Sequence, residues 1–191
     1  MIEHEQTFDP RNCVVVHKTH EQWGELSNMA GGFPIKVGDY TWPTTEALYQ
    51  ACRFPTLPDV QRLIRDQASP MSAKMKGKPH RAESRPDWDS ARVEIMRWVL
   101  RLKLSQHGRT FGSVLKATDP KLIVEKSHKD KFWGAKETPE GQLVGQNVLG
   151  QLLMELRTGF LVGGFEALTT VTPPELPNFL LLRQVVGVEG K

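Results

Sequence analysis

One long amphipathic helix constrains the fold of this 191-residue chain more than any other segment. Between residues 88 and about 104, apolar residues recur at spacings of three and four, which places them on one stripe of a helix. That stripe consists of Trp88, Ala91, Ile95, Val99 and Leu102. Asp87 precedes the stripe and is expected to cap its first turn. A chain of this length can bury such a helix, so the stripe predicts a globular core built around it.

Shorter helices are predicted on both sides of the long one. Caps, prolines, glycines and apolar periodicity place them at 58–68, 70–77, 111–117 and 146–157. In the first of these, Val60, Leu63 and Ile64 are expected to face inward. Gly159 is expected to stop the last one, because glycine commonly follows the end of a helix.

Strand signals are few and short. Apolar, mainly β-branched residues predict strands at 14–16 and 122–124. Residues 35–42 alternate and turn at Gly38 and Asp39, which predicts a hairpin. Strands and helices do not alternate along the chain. The pattern therefore favours an α+β fold, a mainly helical single domain over 1–191 with a small sheet, and disfavours a doubly wound fold.

Composition argues against several classes of protein. The chain is 39% hydrophobic and 25% charged, as globular proteins are, and no apolar run approaches the roughly 20 residues that span a bilayer. The polar, acidic first ten residues do not form a secretory signal. Only two cysteines are present, Cys13 and Cys52, which suits the reducing cytoplasm. His17 and His20 lack further ligands at metal-site spacing, so no metal is expected.

Residues 42–54 carry the densest set of reactive side chains. Thr44 can cap a short helix, and Glu46 then lies in its first turn, where backbone N–H groups favour negative charge. Helical spacing groups an acid, a phenol, an amide and a guanidinium on one face, namely Glu46, Tyr49, Gln50 and Arg53. This pattern fits either the wall of a site or simple helix-end electrostatics.

Two loops add further candidates. The loop at 23–28 carries Trp23 and Asn28, and the loop at 125–134 carries Asp130, Trp133 and Gly134. Loops next to strands often display reactive groups on a rigid scaffold. The two tryptophans fit either core packing or a flat stacking surface for a ligand.

A basic stretch lies between them, and several nucleotide motifs are absent. Residues 71–81 contain Lys74, Lys76, Lys78 and Arg81 and no acid, while the net charge is only +3. The stretch is either a solvated basic loop or an edge that contacts phosphate. Neither a phosphate-binding glycine motif nor a nucleophile elbow is present. Their absence disfavours an ATPase, a nicotinamide dehydrogenase and an ordinary serine hydrolase.

Four blocks of the sequence resemble the NADAR family, which includes the YbiA-like N-glycosidases, and they occur in the order found in that family. They are Trp-Gly-Glu-Leu-Ser-Asn at 23–28, the whole of 42–54, Asp-Lys-Phe-Trp-Gly at 130–134, and 145–157. The resemblance covers about 20–158, which leaves 159–191 as a C-terminal extension expected to pack on that body. The chain departs from the family at Ala47, where a histidine is usual, and at Arg53, where a lysine is usual.

The resemblance implies hydrolysis of the bond between ribose C1 and an amino nitrogen, without a cofactor. Some family members act on ribosylamine phosphates of riboflavin biosynthesis, and others remove ADP-ribose from guanine in nucleic acid. The basic stretch, Ala47 and the extension favour the second substrate, ADP-ribosylated guanine in DNA or nucleotides. That substrate would make the chain a cytoplasmic antitoxin with a cognate ADP-ribosyltransferase toxin as its partner. The oligomeric state is left open.

The resemblance also suggests roles for individual residues. Glu46 is predicted to be the principal acid/base and Asp130 the second catalytic carboxylate. Arginine and lysine would bind phosphate, the amides would bind sugar or base, and an aromatic ring would stack on the leaving base. The predicted binding set comprises Trp23, Asn28, Tyr49, Gln50, Arg53, Lys74, Lys76, Trp133, Gly134 and Asn147.

Two alternatives remain open on the sequence. The first concerns mechanism: a lysine, Lys74 or Lys76, would form an imine with the ring-opened ribose while Glu46 moves protons. The second concerns class: the same pocket would bind ADP-ribose or a nucleotide without cleaving it. Turnover separates the second alternative from an enzyme, because a binder saturates at one ligand per chain.

Overall fold

The computed structural model describes residues 4–164 and 169–190, and the fold is α+β as predicted. In this part of the chain the α-helices are α1 (Thr45–Ala51), α2 (Pro58–Arg65), α3 (Pro70–Gly77), α4 (Trp88–Gln106), α5 (Phe111–Ala117) and α6 (Val148–Gly163). The strands are β1 (Gln6–Phe8), β2 (Cys13–Val16), β3 (Ile35–Val37), β4 (Tyr40–Trp42), β5 (Leu122–Glu125), β6 (Lys136–Glu137), β7 (Leu143–Gly145), β8 (Thr170–Val171), β9 (Leu180–Leu181), β10 (Gln184–Val185) and β11 (Glu189–Gly190). Over the described ranges, no helix combines the length and apolarity needed to cross a membrane.

The chain forms two compact units, and each is assembled from two distant stretches. The first unit joins Met1–Ser27 to Arg109–Gly164, and the second joins Asn28–Gly108 to Phe165–Lys191. The predicted extension at 159–191 is thus divided between the units, and residues 165–168 and 191 of it lie outside the described residues. A single domain over 1–191 stays a prediction.

The first unit is built on two small sheets and two helices. Strands β2 and β5 pair in parallel, which matches the two predicted strands, and α6 packs against β5. A second, antiparallel sheet has the order β1-β7-β6. Apolar side chains from both sheets meet in one buried cluster formed by Phe8, Val124, Ala135 and Leu143. The core of this unit therefore lies where the two sheets meet.

Helix α6 continues past Gly159, so the predicted stop at that residue is wrong. Phe160 is buried, and Lys116 Nζ lies 4.3 Å from its ring centroid. Burial of an aromatic ring stabilises by more than the ~1 kcal/mol that a glycine costs inside a helix. Gly164 ends the helix instead, with a positive φ of 60° that glycine adopts without strain.

The second unit is organised around the long helix α4. Its predicted apolar stripe is confirmed, because the five stripe residues are all buried. Helices α1, α2 and α3 pack against one another, and α1 also packs against α4. Strands β3 and β4 form the predicted hairpin, which turns at Gly38 with a φ of 54°.

Two local predictions in this unit are wrong. Leu63 is 38% exposed, because the buried stripe of α2 runs through Val60, Gln61 and Ile64 instead. Asp87 precedes α4 but makes no side-chain cap, because its two carboxylate oxygens accept hydrogen bonds from the Arg85 guanidinium at 2.6 and 2.9 Å.

The segment near Phe179 packs inside the second unit. The rings of Phe179 and Trp98 meet edge to face with centroids 5.2 Å apart. The fully buried Gln61 donates from Nε2 to the carbonyl of Leu180 and accepts at Oε1 from the backbone N–H of Leu182. The same Nε2 donates to the carbonyl of Ala51, at the end of α1. One buried amide therefore ties the C-terminal segment to the helix that carries Glu46.

Candidate active site

Glu46 lies in the first turn of α1 because local signals start the helix there. Thr44 Oγ1 accepts a hydrogen bond from the backbone N–H of Ala47 at 3.1 Å, so the predicted cap is confirmed. All seven residues of α1 are buried, since α2, α3 and α4 cover it. The helix is thus enclosed on its polar face as well as on its apolar face, and only 4% of Glu46 is exposed.

The Glu46 carboxyl is held by two side-chain amides. Asn28 Nδ2 donates to Oε2 at 2.6 Å, and Gln50 Nε2 donates to Oε1 at 2.8 Å. Burial raises the pKa of Glu46, because removing a carboxylate from water costs several kcal/mol. The positive charge of Lys74 and the two amide donors lower that pKa, but burial outweighs them. The result is a carboxyl group with a proton affinity higher than that of an ordinary glutamate.

Asn28 also has a backbone carbonyl and a side-chain oxygen, Oδ1, near the start of α1. Its backbone carbonyl accepts a hydrogen bond from Thr45 Oγ1 at 3.1 Å, which fixes the residue against the start of α1. Its side chain is buried, and Oδ1 has no hydrogen-bond partner among the described residues. A buried acceptor without a donor is costly. Asn28 Oδ1 is therefore a buried acceptor that no described protein group satisfies.

Tyr49 lies one helical turn beyond Glu46. Its ring packs on Trp88 with centroids 5.3 Å apart. Burial raises the pKa of Tyr49, the charge of Glu46 raises it further, and the charges of Arg92 and Arg53 lower it. The phenol is therefore subject to the opposing charges of one carboxyl and two guanidinium groups.

Arg53 is fixed at one edge and over one face. Its Nε donates to Ser84 Oγ at 2.6 Å, and its Cζ lies 4.7 Å from the centroid of the Trp88 ring. Its two terminal nitrogens have no hydrogen-bond partner in 4–164 or 169–190. Burial lowers the pKa of Arg53, and the positive charge of Arg81 lowers it further.

The basic stretch forms α3 and the 3-10 turn that follows it. Ser69 Oγ caps α3 by accepting from the N–H of Ser72, and Gly77 ends the helix as predicted. Lys74 and Lys76 are exposed on α3, and only the charge of Lys74 is found to act on Glu46 within the described residues. A binding role for Lys76 stays a prediction.

Asp130 lies in the first unit and is exposed. Its Oδ1 accepts hydrogen bonds from the backbone N–H groups of Phe132 and Trp133 at 2.8 and 2.9 Å. These contacts form the turn that carries Trp133, as aspartate commonly does in loops. In the structure, the Asp130 side chain thus stabilises a backbone turn. Its catalytic role stays a prediction.

The tryptophans and the glycine of the two loops also belong to the first unit. Trp23 adopts a positive φ of 70°, and Trp133 packs edge to face on Phe132 with centroids 5.1 Å apart. A Cβ on Gly134 would lie 2.5 Å from the carbonyl oxygen of Glu125. Gly134 therefore allows close approach of two backbone segments, and a contact to substrate stays a prediction for all three residues.

Asn147 holds the backbone of the first unit together. Its Nδ2 donates to the carbonyl of Ile123 at 2.8 Å, and its Oδ1 accepts from the N–H of Glu125 at 2.9 Å. Both ends of the amide are thus occupied by β5. The Asn147 side chain therefore links β5 to the start of α6. These contacts do not test its predicted role in binding substrate.

The structure brings Asn28 and Gln50 into direct contact with Glu46, and the charge of Lys74 acts on the same carboxyl. Sequence reasoning missed Ser84 as the partner of Arg53, because 31 residues separate them and no local pattern links them. Among residues 4–164 and 169–190, no group of three or more His, Cys, Asp or Glu side chains could hold a metal ion.

Known proteins resemble this chain in sequence and in fold. The N-glycosidase YbiA of Escherichia coli (strain K12) is 39% identical over 142 residues, which span 74% of this chain and 84% of YbiA. The NMR structure of E. coli YbiA superposes with a TM-score of 0.67 at 35% identity, and the match covers 86% of this chain and 92% of that one.

A plant protein and a family model extend the comparison. The chloroplastic riboflavin biosynthesis protein PYRR of Zea mays is 33% identical over 165 residues, which cover 78% of this chain and 25% of the maize protein. The NADAR domain model matches residues 15–161, a range that contains α1 to α5 and nearly all of α6. The predicted resemblance is confirmed, and the chain belongs to the NADAR family.

Proposed function

We propose that this chain is an N-glycosidase in which Glu46 moves the protons of the reaction. The observation that carries the proposal is the buried Glu46 carboxyl, whose pKa is raised and whose two oxygens are held by Asn28 and Gln50. Similarity to the N-glycosidase YbiA supports the reaction class. A proton donor of this kind is what cleavage of a bond to an amino nitrogen requires.

The proposed reaction is a hydrolysis in two stages. Protonated Glu46 donates its proton to the leaving nitrogen as the bond from ribose C1 to nitrogen breaks, and the electron pair of that bond goes to the nitrogen. The ring oxygen shares the positive charge that develops at C1. Water then adds to C1 and gives a proton to the Glu46 carboxylate, which restores the starting state. The raised pKa helps the first stage, because it keeps the proton on Glu46 closer to neutral pH.

The two amides orient the carboxyl during this cycle. Each donates to one oxygen, so the carboxyl has a fixed plane in both protonation states. The unpartnered Oδ1 of Asn28 would accept a hydrogen bond from a ribose hydroxyl or from the leaving amino group. Asn28 would therefore orient both the Glu46 carboxyl and the sugar, which favours a reactive geometry.

Lys74 supports a second version of the mechanism. Its charge acts on Glu46, and a lysine amine is the nucleophile that an imine mechanism needs. In this version the bond from C1 to the ring oxygen breaks first, and the ring oxygen takes a proton from Glu46 as the leaving nitrogen forms an imine with C1. The lysine amine adds to C1 and gives a proton to Glu46, which passes it to the departing amine as the lysine imine forms. Water then hydrolyses that imine, which frees the lysine and leaves ribose as its aldehyde. Arginine keeps the charge but forms no imine. Lys74→Arg therefore abolishes this version and spares the direct hydrolysis, and borohydride traps a lysine adduct only where the imine forms.

ADP-ribosylated guanine, in DNA or as a nucleotide, is the substrate that we favour. Lys74, Lys76 and Lys78 make no ion pair with another described residue, whereas lysines such as Lys126 and Lys131 pair with acids. Unpaired positive charge on this stretch, including that of Lys74, which acts on Glu46, suits a substrate rich in phosphate. With this substrate, the chain would act as an antitoxin that reverses the product of a cognate ADP-ribosyltransferase.

A ribosylamine phosphate of the riboflavin pathway is the second candidate. The similarity to the maize riboflavin biosynthesis protein favours it, although the match covers a quarter of that protein. Both candidates place a phosphorylated ribose at Glu46 and an amino nitrogen at C1. They differ in the leaving group, which is a guanine base in one and the amine of the riboflavin-pathway compound in the other.

Incubation with each substrate, followed by mass spectrometry, tests the proposal. We expect release of ADP-ribose from a DNA oligonucleotide that carries ADP-ribosylated guanine, at many turnovers per chain, and no release by Glu46→Gln. Release only from the riboflavin-pathway ribosylamine would select the second candidate. Binding of either compound at one per chain without cleavage would overturn the N-glycosidase proposal in favour of a binding module.

A further inference from the structure

The C-terminal end of α1 is held by two residues from outside the helix. Gln61 Nε2 donates to the carbonyl of Ala51 at 3.1 Å, and the backbone N–H of Arg85 donates to the carbonyl of Arg53 at 2.9 Å. The last carbonyls of a helix lack partners within it, so outside donors help to fix such an end. A helix of seven residues has little stability of its own, and these contacts therefore matter more here than in a long helix.

Gln61 connects that end of α1 with the C-terminal region. We call residues 177–182 the C-terminal strap. Gln61 Nε2 donates to the strap carbonyl of Leu180 at 2.9 Å, and Gln61 Oε1 accepts from the N–H of Leu182 at 2.6 Å. The Gln61 side chain is fully buried, so its removal would leave these buried backbone groups without a partner. One side chain therefore fixes the strap against α1.

Arg85 makes a second connection between the strap and α1. Its guanidinium is buried and donates to the strap carbonyl of Pro177 at 2.9 Å, while its backbone N–H holds the carbonyl of Arg53. Between the two connections, the Phe179 ring packs edge to face on Trp98 of α4, with centroids 5.2 Å apart. The strap is thus fixed at both ends and in its middle, and both ends lead to the end of α1.

The strap ends in a backbone conformation that its sequence does not favour. Strands β9 and β10 form a hairpin that turns at Leu182 and Arg183, with positive φ values of 52° and 73°. Hairpin turns of this kind normally use asparagine and glycine, and a leucine is strained there. Such strain persists where surrounding contacts impose it. Here those contacts are the burial of the Leu182 side chain and its backbone hydrogen bond to Gln61.

The position of Glu46 depends on the position of α1 as a whole. Glu46 and Ala51 are five residues apart, so only about 7.5 Å of helix separates the carboxyl-bearing residue from the carbonyl that Gln61 holds. Asn28 reaches Glu46 from a separate segment at 2.6 Å, and a movement of α1 by about 1 Å would break that hydrogen bond. We propose that Gln61 is a positioning residue, which together with the C-terminal strap sets the position of α1 and so aligns Glu46 with Asn28.

The strap lies outside residues 15–161, which the NADAR domain model matches, so the family resemblance does not imply this role. An effect of Gln61 on catalysis rests on the proposed N-glycosidase function. Its effect on the contact between Asn28 and Glu46 does not, and the two effects are measured separately.

NMR of the Asn28 side-chain amide in the full-length protein tests the proposal without any substrate. Gln61→Met fills a similar volume but makes none of the three hydrogen bonds of Gln61. We expect the Asn28 Nδ2–H signal to move towards that of an exposed amide, and its exchange with solvent to accelerate by about tenfold or more. The turnover rate should fall by about tenfold or more while KM changes by less than about threefold, because misalignment slows a reaction more than it weakens binding.

Val171→Ala is the matched control, because Val171 is also fully buried in the C-terminal region but lies on β8, which packs against α4. It should lower the melting temperature and leave the Asn28 signal in place. If Gln61→Met does not fold, Phe179→Leu decides instead, because it loosens the strap and keeps Gln61. We expect a smaller shift of the Asn28 signal in the same direction.

An unmoved Asn28 signal in the folded variant, or an equal shift in Val171→Ala, would overturn the positioning role. A shifted signal in a protein that cleaves no ribosyl compound would keep the positioning role and refute the N-glycosidase. Cleavage at the wild-type rate by Gln61→Met with an unmoved signal would do the reverse.

Discussion

The carboxyl of Glu46 is buried in the second unit, whereas the carboxyl of Asp130 is exposed in the first. Two side-chain amides donate to the oxygens of Glu46, and its pKa is raised by burial. Two backbone N–H groups donate to a single oxygen of Asp130. Both carboxyls were predicted to act in one reaction, but Glu46 is buried between side-chain amides and Asp130 is exposed in a turn.

The different hydrogen-bond donors to Glu46 and Asp130 indicate different roles for the two carboxylates. Backbone N–H groups within the next three residues form a turn, and such contacts stabilise local conformation. Side-chain amides from separate segments instead orient a buried carboxyl whose protonation state responds to its environment. Glu46 is therefore suited to proton transfer, while the visible contacts of Asp130 are those of a turn residue.

Among these substitutions, Glu46→Gln should have the largest effect on the turnover rate. It tests the catalytic role proposed for Glu46. We expect the turnover rate to fall by roughly 10²- to 10⁴-fold, as loss of a general acid/base commonly does. The fold should persist, because rotation of the Asn28 amide would present its unpartnered Oδ1 to the new amide group. Steady-state kinetics and circular dichroism check both statements. An unchanged rate in a folded variant would refute the role of Glu46.

Gln50→Met should shift the pH dependence of the rate. The hydrogen bond from Gln50 lowers the pKa of Glu46, so its loss raises that pKa further. Activity that needs protonated Glu46 is lost as pH rises through that pKa, so the alkaline limb should move to higher pH. We expect the rate at the optimum to change by less than about tenfold. Gln67→Met is the control, because the side-chain amide of Gln67 donates to the carbonyl of Leu63 on the surface and not to a carboxyl group.

An alkaline limb that stays in place, or that moves to lower pH, would contradict the proposed contact between Gln50 and the reacting carboxyl. Such a limb would have to belong to another group. The comparison would then rest on burial of Glu46 alone.

The stability of wild type relative to Glu46→Gln should also depend on pH. The pKa of Glu46 is raised above its ordinary value of 4.5, so its contribution to stability is present below that value and is lost as pH rises through the folded-state pKa. Glutamine does not titrate. The melting temperature of the variant should therefore rise relative to that of wild type as pH increases above 4.5 and through the raised pKa of Glu46. A difference independent of pH would show that burial does not perturb Glu46.

Asp130→Asn should have the smallest effect. Asparagine keeps an oxygen that accepts from both backbone N–H groups, so the turn should persist. We expect the rate to stay within about threefold of wild type, as substitutions away from reacting groups commonly do. A loss as large as that of Glu46→Gln would remove the contrast between the two carboxyls and support the catalytic role predicted for Asp130.

Signals confined to a few residues predicted much of the fold. The Thr44 cap, the Ser69 cap and the turn at Gly38 are all present, because each depends on neighbours within four positions. Predictions failed where a distant or competing partner intervened. Asp87 does not cap α4 because Arg85 takes its carboxylate, and α6 passes Gly159 because Phe160 packs in the core.

The candidate site was predicted in part. The helix face placed Gln50 beside Glu46, and the structure shows their hydrogen bond. The contact with Asn28 spans 18 residues, and that of Arg53 with Ser84 spans 31, so no periodicity within one element indicates them. The family resemblance supplied the residue names, but it carried no information on which of these atoms touch.

The sequence by itself determined the start of α1, the stripe of α4 and the membership of the chain in the NADAR family, because these depend on local spacing and residue identity. Only the tertiary structure decided that three helices cover α1, that Glu46 is buried and that its pKa is raised. It also decided that Arg53 donates from Nε to Ser84 and stacks on Trp88, while its two terminal nitrogens have no hydrogen-bond partner among the described residues. The physical reason is that desolvation and electrostatic fields depend on every group packed around an atom, and the fold brings those groups from distant parts of the chain.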